Sequence, residues 1–161
     1  TGSMLYALEI PSVGGNTLFA SSFKAYDDLP ARLKNLLDGK LAMHGYDPAH
    51  SKYTRPTTVG PNVKQFAQPV FRTHPPTGRK TLYISRLHTQ YIIGIPKEQS
   101  DDVLEELFGH LEQRKYVYEH FWRVGDLLFW DNRSCTHART DFDAKERRLL
   151  RRVTLLGERA Y

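Results

Sequence analysis

The fold of this chain is decided near its end, in the stretch WRVGDLLFWDNRSCTHARTDFDAKERRLLRRVTLL at residues 122–156. Residues 126–130 and 149–156 have the length and the apolar content of strands. Between them lie the only cysteine of the chain, a histidine and a run of polar residues. The stretch therefore predicts two strands that flank a polar segment able to carry chemistry.

Strand-like runs recur through the rest of the chain, at residues 4–10, 17–21, 40–46, 70–73, 80–85 and 116–122. One helix is expected within residues 26–40, where Asp27 or Asp28 can cap it and Pro30 suits its first turn. A second helix is expected over residues 97–113, where apolar residues recur at helical spacing. Because strands predominate without a βαβ rhythm, we predict a mainly β fold, an antiparallel sandwich or jelly roll with flanking α-helices.

The least regular segment covers residues 47–69, with four prolines and little periodicity. A chain of 161 residues is long enough to bury the core of a single domain. We therefore expect one domain over residues 1–161, with a long loop or lid at 47–69.

The composition excludes several classes of protein. The 23 Lys and Arg against 18 Asp and Glu give a net charge of +5, which favours anionic partners. Acidic residues are interleaved with the basic ones, so we expect a small anionic substrate and no nucleic acid. No apolar run approaches the roughly 20 residues of a membrane helix. One cysteine excludes an internal disulfide and suits a reducing, cytoplasmic compartment.

The residues alone leave three interpretations of His137 open: a metal ligand, the base of a Cys135 nucleophile, or a loop histidine. A Cys135–His137 pair is disfavoured, because no third orienting group is evident and a free cysteine is usually a small buried hydrophobe.

Two arginines in ERRLLRRVTLL, residues 146–156, are candidate binding sites for anions. Arg148 and Arg152 share one face of an extended strand, about 13 Å apart at roughly 3.3 Å per residue. One small carboxylate cannot span that gap, whereas two anions could each occupy one guanidinium. The alternative is a solvated strand with arginines on both faces. Residues 153–156 are apolar, as if the strand enters a core, where an arginine needs an anionic partner.

Four segments together resemble the taurine dioxygenase / 2,4-dichlorophenoxyacetate dioxygenase family (TauD/TfdA): GGNTLF, AYDDLPARLKNLLDG, VFRTHPPTGRKTLYIS and the stretch from residue 122 to 158. The resemblance implies a double-stranded β-helix, that is, a jelly roll. It also implies an enzyme that uses Fe(II), 2-oxoglutarate and O₂ and releases succinate and CO₂. The expected substrate, which is hydroxylated, is a small carboxylate or sulfonate, including aryloxyalkanoate-like acids. The expected assembly is a homo-oligomer, a dimer or tetramer. The alternative is a non-enzymatic or degenerate jelly-roll binding protein without iron.

The resemblance also assigns residues. It implies that His137 is one iron ligand. Arg148 and Thr17 are expected to bind a carboxylate of 2-oxoglutarate. Arg152 is expected to bind the acidic head of the substrate, and His88 to lie in the substrate pocket. The family's His-x-Asp motif, which supplies the other two iron ligands, is absent from these 161 residues. The nearest substitute, His110-Leu-Glu112, falls in the second helix. We therefore expect the other two ligands upstream of Thr1, in a chain that is N-terminally incomplete.

Overall fold

Strands dominate the computed structural model, which describes residues 1–47 and 60–157. In these residues three α-helices, α1 to α3, and a short 3-10 helix accompany eleven strands. The helices are Ser22–Asp27, Ala31–Leu37, Lys97–Leu111 and the 3-10 turn Arg114–Tyr116. The strands, β1 to β11 in order, are Gly2–Glu9, Thr17–Ser21, Leu41–Gly45, Gln65–Pro69, Phe71–Thr73, Lys80–Leu82, Thr89–Ile92, Val117–His120, Leu127–Asp131, Cys135–Arg139 and Leu149–Thr154.

The strands pair antiparallel in small sheets. Three sheets have three strands each, in the orders β11-β1-β9, β10-β2-β8 and β4-β3-β7, and β5 pairs with β6. In the second sheet His137 of β10 lies opposite Phe19 of β2, and in the first Arg152 of β11 lies opposite Leu5 of β1. The candidate site residues thus come from two different sheets.

The hydrophobic core lies where helices α2 and α3 pack with the strands. Leu33 and Leu37 of α2 and Leu104 and Leu107 of α3 are at most 1% exposed. Burying a leucine side chain contributes about 1.5–3 kcal/mol, so this cluster anchors both helices. None of the helices in the described part of the chain has the length and apolar character of a membrane span.

The helix predicted within residues 26–40 is present as α2, Ala31–Leu37, but neither Asp27 nor Asp28 caps it, and a separate helix, α1, precedes it. Helix α1 begins after Ser21, whose hydroxyl accepts a hydrogen bond from Lys24 N, and it ends at a C-cap formed by Asp28. Pro30 lacks an N–H and restricts the residue before it, so the chain cannot continue as one helix. Pro30 is instead the N-cap of α2.

The predicted loop at 47–69 ends earlier than expected, because Gln65–Pro69 form β4, which pairs with β3 along its whole length. Gln65, Phe66 and Ala67 are all exposed, so the strand has no apolar alternation that a sequence pattern could reveal. Pro69 is tolerated because β4 is an edge strand. Residues 48–59 lie outside the described residues.

Strand β11 does not enter a core in the described residues, contrary to the expectation from residues 153–156. Val153 is 48% exposed and Leu156 is 99% exposed, and among the described strands β11 is an edge strand that pairs with β1. The predicted alternation of faces holds at residues 148–150, where Arg148 and Leu150 are partly buried and Leu149 is exposed. Burial of the strand in a core is therefore no argument that Arg148 and Arg152 bind anions, and the surroundings of each arginine have to be considered separately.

Candidate active site

His137 lies on β10 between two aromatic side chains. Its ring centroid is 5.1 Å from that of Trp130 and 6.1 Å from that of Phe19. Desolvation, and then repulsion from Arg152 and from His88 when it is protonated, lower the pKa of His137. No described residue forms a hydrogen bond with the imidazole. A neutral imidazole with free ring nitrogens is the form of histidine that binds a metal.

The described residues suit one ligand position of an iron site and supply no complete site. Over residues 1–47 and 60–157, no group of three His, Cys, Asp or Glu side chains is arranged to hold a metal. The substitute motif is otherwise engaged: His110 Nε2 lies 2.8 Å from Ala25 O, and the Glu112 carboxylate accepts from Arg86. His110 and Glu112 therefore do not replace the absent motif.

Arg148 and Thr17 meet although they lie 131 positions apart. Arg148 donates from Nε to Gly15 O at 2.7 Å, and its Nη2 lies 3.4 Å from Thr17 Oγ1. Trp122 Nε1 donates to the same Thr17 oxygen at 3.0 Å. With two donors directed at that oxygen, the Thr17 hydroxyl proton is left to donate elsewhere. The pair therefore presents hydrogen-bond donors to an acceptor.

No carboxylate in the described part of the chain pairs with Arg148. Burial, and then the charge of Arg139, lower the pKa of Arg148, and an arginine still stays protonated at any physiological pH. A partly buried cation is stabilised when an anion compensates it. The surroundings of Arg148 and Thr17 thus suit one end of a carboxylate ligand.

The two glycines of GGNTLF explain how this contact forms. Gly15 has a φ of +65°, and a Cβ there would lie 2.7 Å from Pro11 Cγ and 3.1 Å from Arg148 Cδ. Gly14 has a φ of +76°, and a Cβ there would lie 2.2 Å from Asp141 O. Only glycine suits both positions, and the turn it permits brings the Gly15 carbonyl to the guanidinium.

Sequence reasoning missed Gly15 O and Trp122 as parts of this contact. Trp122 belongs to the WRVGD segment, whose pattern predicts only a strand end, and its indole is 7% exposed. A buried indole N–H requires an acceptor. That requirement is the one signal in the sequence that could have suggested a polar partner for Trp122.

Arg152 and His88 lie with His137 around a cavity of about 640 Å³. The rest of its lining includes Tyr46, Phe66 and Tyr83, together with Lys64, and among the described residues it contains no Asp or Glu. Arg148 and Thr17 are not part of this lining. The structure therefore groups Arg152 and His88 with His137, and Arg148 with Thr17, at two separate places.

His88 has its own local partners within this cavity. Its Nδ1 lies 3.1 Å from Ser85 Oγ, and its ring centroid is 5.6 Å from that of Tyr46. Burial lowers the pKa of His88, so the ring is mostly neutral at pH 7. The positive charge in the cavity therefore comes chiefly from Arg152 and Lys64.

Cys135 also lines the cavity, and its thiol should be unreactive. Burial, and then the Asp131 charge, raise its pKa from 9.0 to about 11. A pKa of about 11 in place of 9.0 lowers the thiolate fraction of Cys135 at pH 8 roughly 100-fold, and the thiolate is the nucleophile. Alkylation by iodoacetamide should be slower than in the guanidinium-unfolded chain by about that factor, with a rate that still increases above pH 9. A rate that levels off below pH 9 would instead indicate an activated cysteine.

Known proteins resemble this chain in sequence. The family model for the taurine catabolism dioxygenase TauD, TfdA family matches residues 1–154. An alpha-ketoglutarate-dependent 2,4-dichlorophenoxyacetate dioxygenase of Burkholderia sp. (strain RASC) is 41% identical over 162 residues, which cover 98% of this chain and 54% of that protein.

Solved structures extend the likeness to the fold. A taurine dioxygenase from Burkholderia xenovorans matches with a TM-score of 0.84 and 31% identity, over 99% of this chain and 53% of that one. AAD-2, solved with Mn(II) and N-oxalylglycine, matches with a TM-score of 0.83 and 31% identity, over 94% of this chain and 61% of that one. The predicted mainly β jelly-roll fold is confirmed. This chain spans about half the length of the relatives it matches.

Proposed function

Since this chain belongs to the taurine catabolism dioxygenase TauD, TfdA family, as its sequence motifs predicted, we propose that it is part of an Fe(II)/2-oxoglutarate-dependent dioxygenase. The reaction hydroxylates a small organic acid and releases succinate and CO₂. The observation that carries this proposal is the separation of two arginines, one beside Thr17 and one beside His137. Such a reaction must hold two different anions at once, a co-substrate and a substrate.

The co-substrate site is formed by Arg148 and Thr17. The guanidinium keeps N–H groups free after its bond to Gly15 O, and a planar fork of N–H groups matches a carboxylate. The Thr17 hydroxyl supplies a further donor, held in place by Trp122. These residues would bind and orient one carboxylate of 2-oxoglutarate.

The substrate site is the cavity that contains Arg152. Arg152 binds the carboxylate or sulfonate head, since no acidic side chain competes for it in the part of the lining that the structure describes. The aromatic residues Tyr46, Phe66 and Tyr83 suit an apolar or aromatic body. An aryloxyalkanoate-like acid meets both requirements, and the substrate in the name of the 2,4-dichlorophenoxyacetate relative has this chemistry.

His137 holds the iron in this proposal, together with two ligands that the described residues do not supply. When bound, the metal supplies the open coordination positions and the redox chemistry that activate O₂. Trp130 and Phe19 restrict the orientation of the imidazole. The family resemblance is likewise the support for a homo-oligomer, a dimer or tetramer.

Replacing Arg152 with alanine should raise the KM for the acidic substrate by about tenfold and leave the KM for 2-oxoglutarate within twofold. The loss of a hydrogen-bonded charge has about this effect at a partly exposed site. Steady-state kinetics with each substrate varied in turn measures both values. Arg151→Ala is the matched control, because Arg151 is exposed and does not line the cavity. An unchanged substrate KM in Arg152→Ala would contradict the assignment.

The second candidate is a jelly-roll binding protein without iron. It is favoured by one observation, that the described residues supply a single metal donor. Iron content of the purified full-length protein separates the two candidates, because a complete site retains iron and a single imidazole does not.

A further inference from the structure

The phenol hydroxyl of Tyr83 has no hydrogen-bond partner among the described residues, although Tyr83 lines the cavity beside His137 and Arg152. Tyr83 is partly buried, immediately after β6. A tyrosine removed from water normally pairs its hydroxyl. Because the described residues provide no partner here, they leave this hydroxyl as a hydrogen-bond donor toward the contents of the cavity.

The ring that carries this hydroxyl is held by two neighbours. The Arg72 guanidinium carbon lies 4.9 Å from the Tyr83 ring centroid. Arg72 is only 4% exposed and its buried Nε has no hydrogen-bond partner in the described part of the chain, where the Tyr83 ring is a compensating group for the guanidinium. His44 stacks on the same ring, with centroids 5.9 Å apart and planes 10° apart. Tyr83 thus has little freedom to rotate away.

His44 keeps this arrangement compatible with the buried Arg72. Burial, and then the nearby His88, lower the pKa of His44 to about 4, so its imidazole is neutral near pH 7. Its Nε2 lies 3.2 Å from Thr89 Oγ1, which anchors the ring to β7. A neutral, anchored imidazole stacks on Tyr83 without adding a second positive charge next to Arg72.

We propose that Tyr83 is a specificity-determining residue, whose hydroxyl donates a hydrogen bond to an oxygen acceptor on the body of the substrate while Arg152 binds the acidic head. This inference rests on the proposed function. The favoured substrates are acids with an aromatic or apolar body that carries an ether, hydroxyl or carbonyl oxygen. An analogue without that oxygen displaces water from the Tyr83 hydroxyl and leaves it unpaired, which penalises the binding of the analogue.

Matched pairs of phenylacetates test this inference. Each pair carries either a methoxy or an ethyl group at the ortho, meta or para position, so that an ether oxygen replaces a methylene with little change in shape. Dissociation constants are measured by calorimetry with the metal-loaded protein under anaerobic conditions. The wild-type protein should prefer the methoxy member about three- to tenfold at one or more positions. Tyr83→Phe, which keeps the stacked ring, should remove that preference.

The control is Tyr91→Phe, since Tyr91 is an exposed tyrosine of β7 outside the cavity lining. It should keep the wild-type preference. The inference is overturned if no position shows a methoxy preference in the wild type, or if Tyr83→Phe retains it. Binding of 2-oxoglutarate to the same samples reports on the proposed function separately: it should depend on Arg148 and be unchanged, within twofold, in Tyr83→Phe.

Discussion

Replacing His137 with alanine should leave the purified protein with less than about a tenth of the wild-type iron. Loss of a partner that merely orients a metal ligand typically lowers metal affinity 10- to 100-fold, so loss of a ligand itself should have at least that effect. The lowered pKa of His137 supports this expectation, because the neutral form is the one that coordinates. Metal content by mass spectrometry, after dialysis against a weak chelator, measures the change.

His110→Ala is the matched control for this experiment. His110 belongs to the His-Leu-Glu sequence that resembles the absent motif, but its Nε2 lies 2.8 Å from Ala25 O. The His110 variant should retain wild-type iron, and circular dichroism should show that both variants are folded. Equal iron in His137→Ala and in the wild type would refute the role of His137. An iron-free wild-type protein of full length would favour the binding-protein alternative.

Replacing Arg148 with alanine should raise the KM for 2-oxoglutarate about 30- to 150-fold and leave the KM for the acidic substrate within twofold. Hydrogen bonds to a charged group contribute about 1.5–3 kcal/mol each, and the site loses a charge as well. Arg148 has no acid partner among the described residues, so the variant leaves no protein carboxylate unpaired. The full effect should therefore appear in ligand binding.

Arg147→Ala provides the comparison, because Arg147 is an exposed neighbour whose Nε lies 3.3 Å from Glu9 Oε2. Its kinetics should match those of the wild type. The KM of Arg148→Lys for 2-oxoglutarate should lie between those of the wild type and Arg148→Ala, since lysine retains the charge but not the planar fork of N–H groups. Equal increases in both KM values for Arg148→Ala would show that Arg148 supports the fold of the site and not the co-substrate.

Local patterns in the sequence correctly predicted much of the framework. The strand at residues 17–21, the long helix beginning at residue 97 and its buried stripe all follow from short-range periodicity. Strand β4 could not be predicted this way, since its exposed residues pair with β3 through backbone hydrogen bonds that do not depend on apolar side chains. Strand β10 is a similar case, because His137, Ala138 and Arg139 are all exposed and their strand geometry comes from pairing with β2.

The site shows the same division between local and distant information. The sequence alone determined that Arg148 faces away from Leu149 and that two glycines precede Thr17, because alternation and glycine's permitted φ are properties of a few adjacent residues. Only the tertiary structure decided that Arg148 meets Thr17, that Arg152 adjoins His137 and that Tyr83 lies against Arg72. These contacts join strands and turns far apart in the chain. They depend on which strands pair and in which register, and that choice is made by the packing of the whole domain.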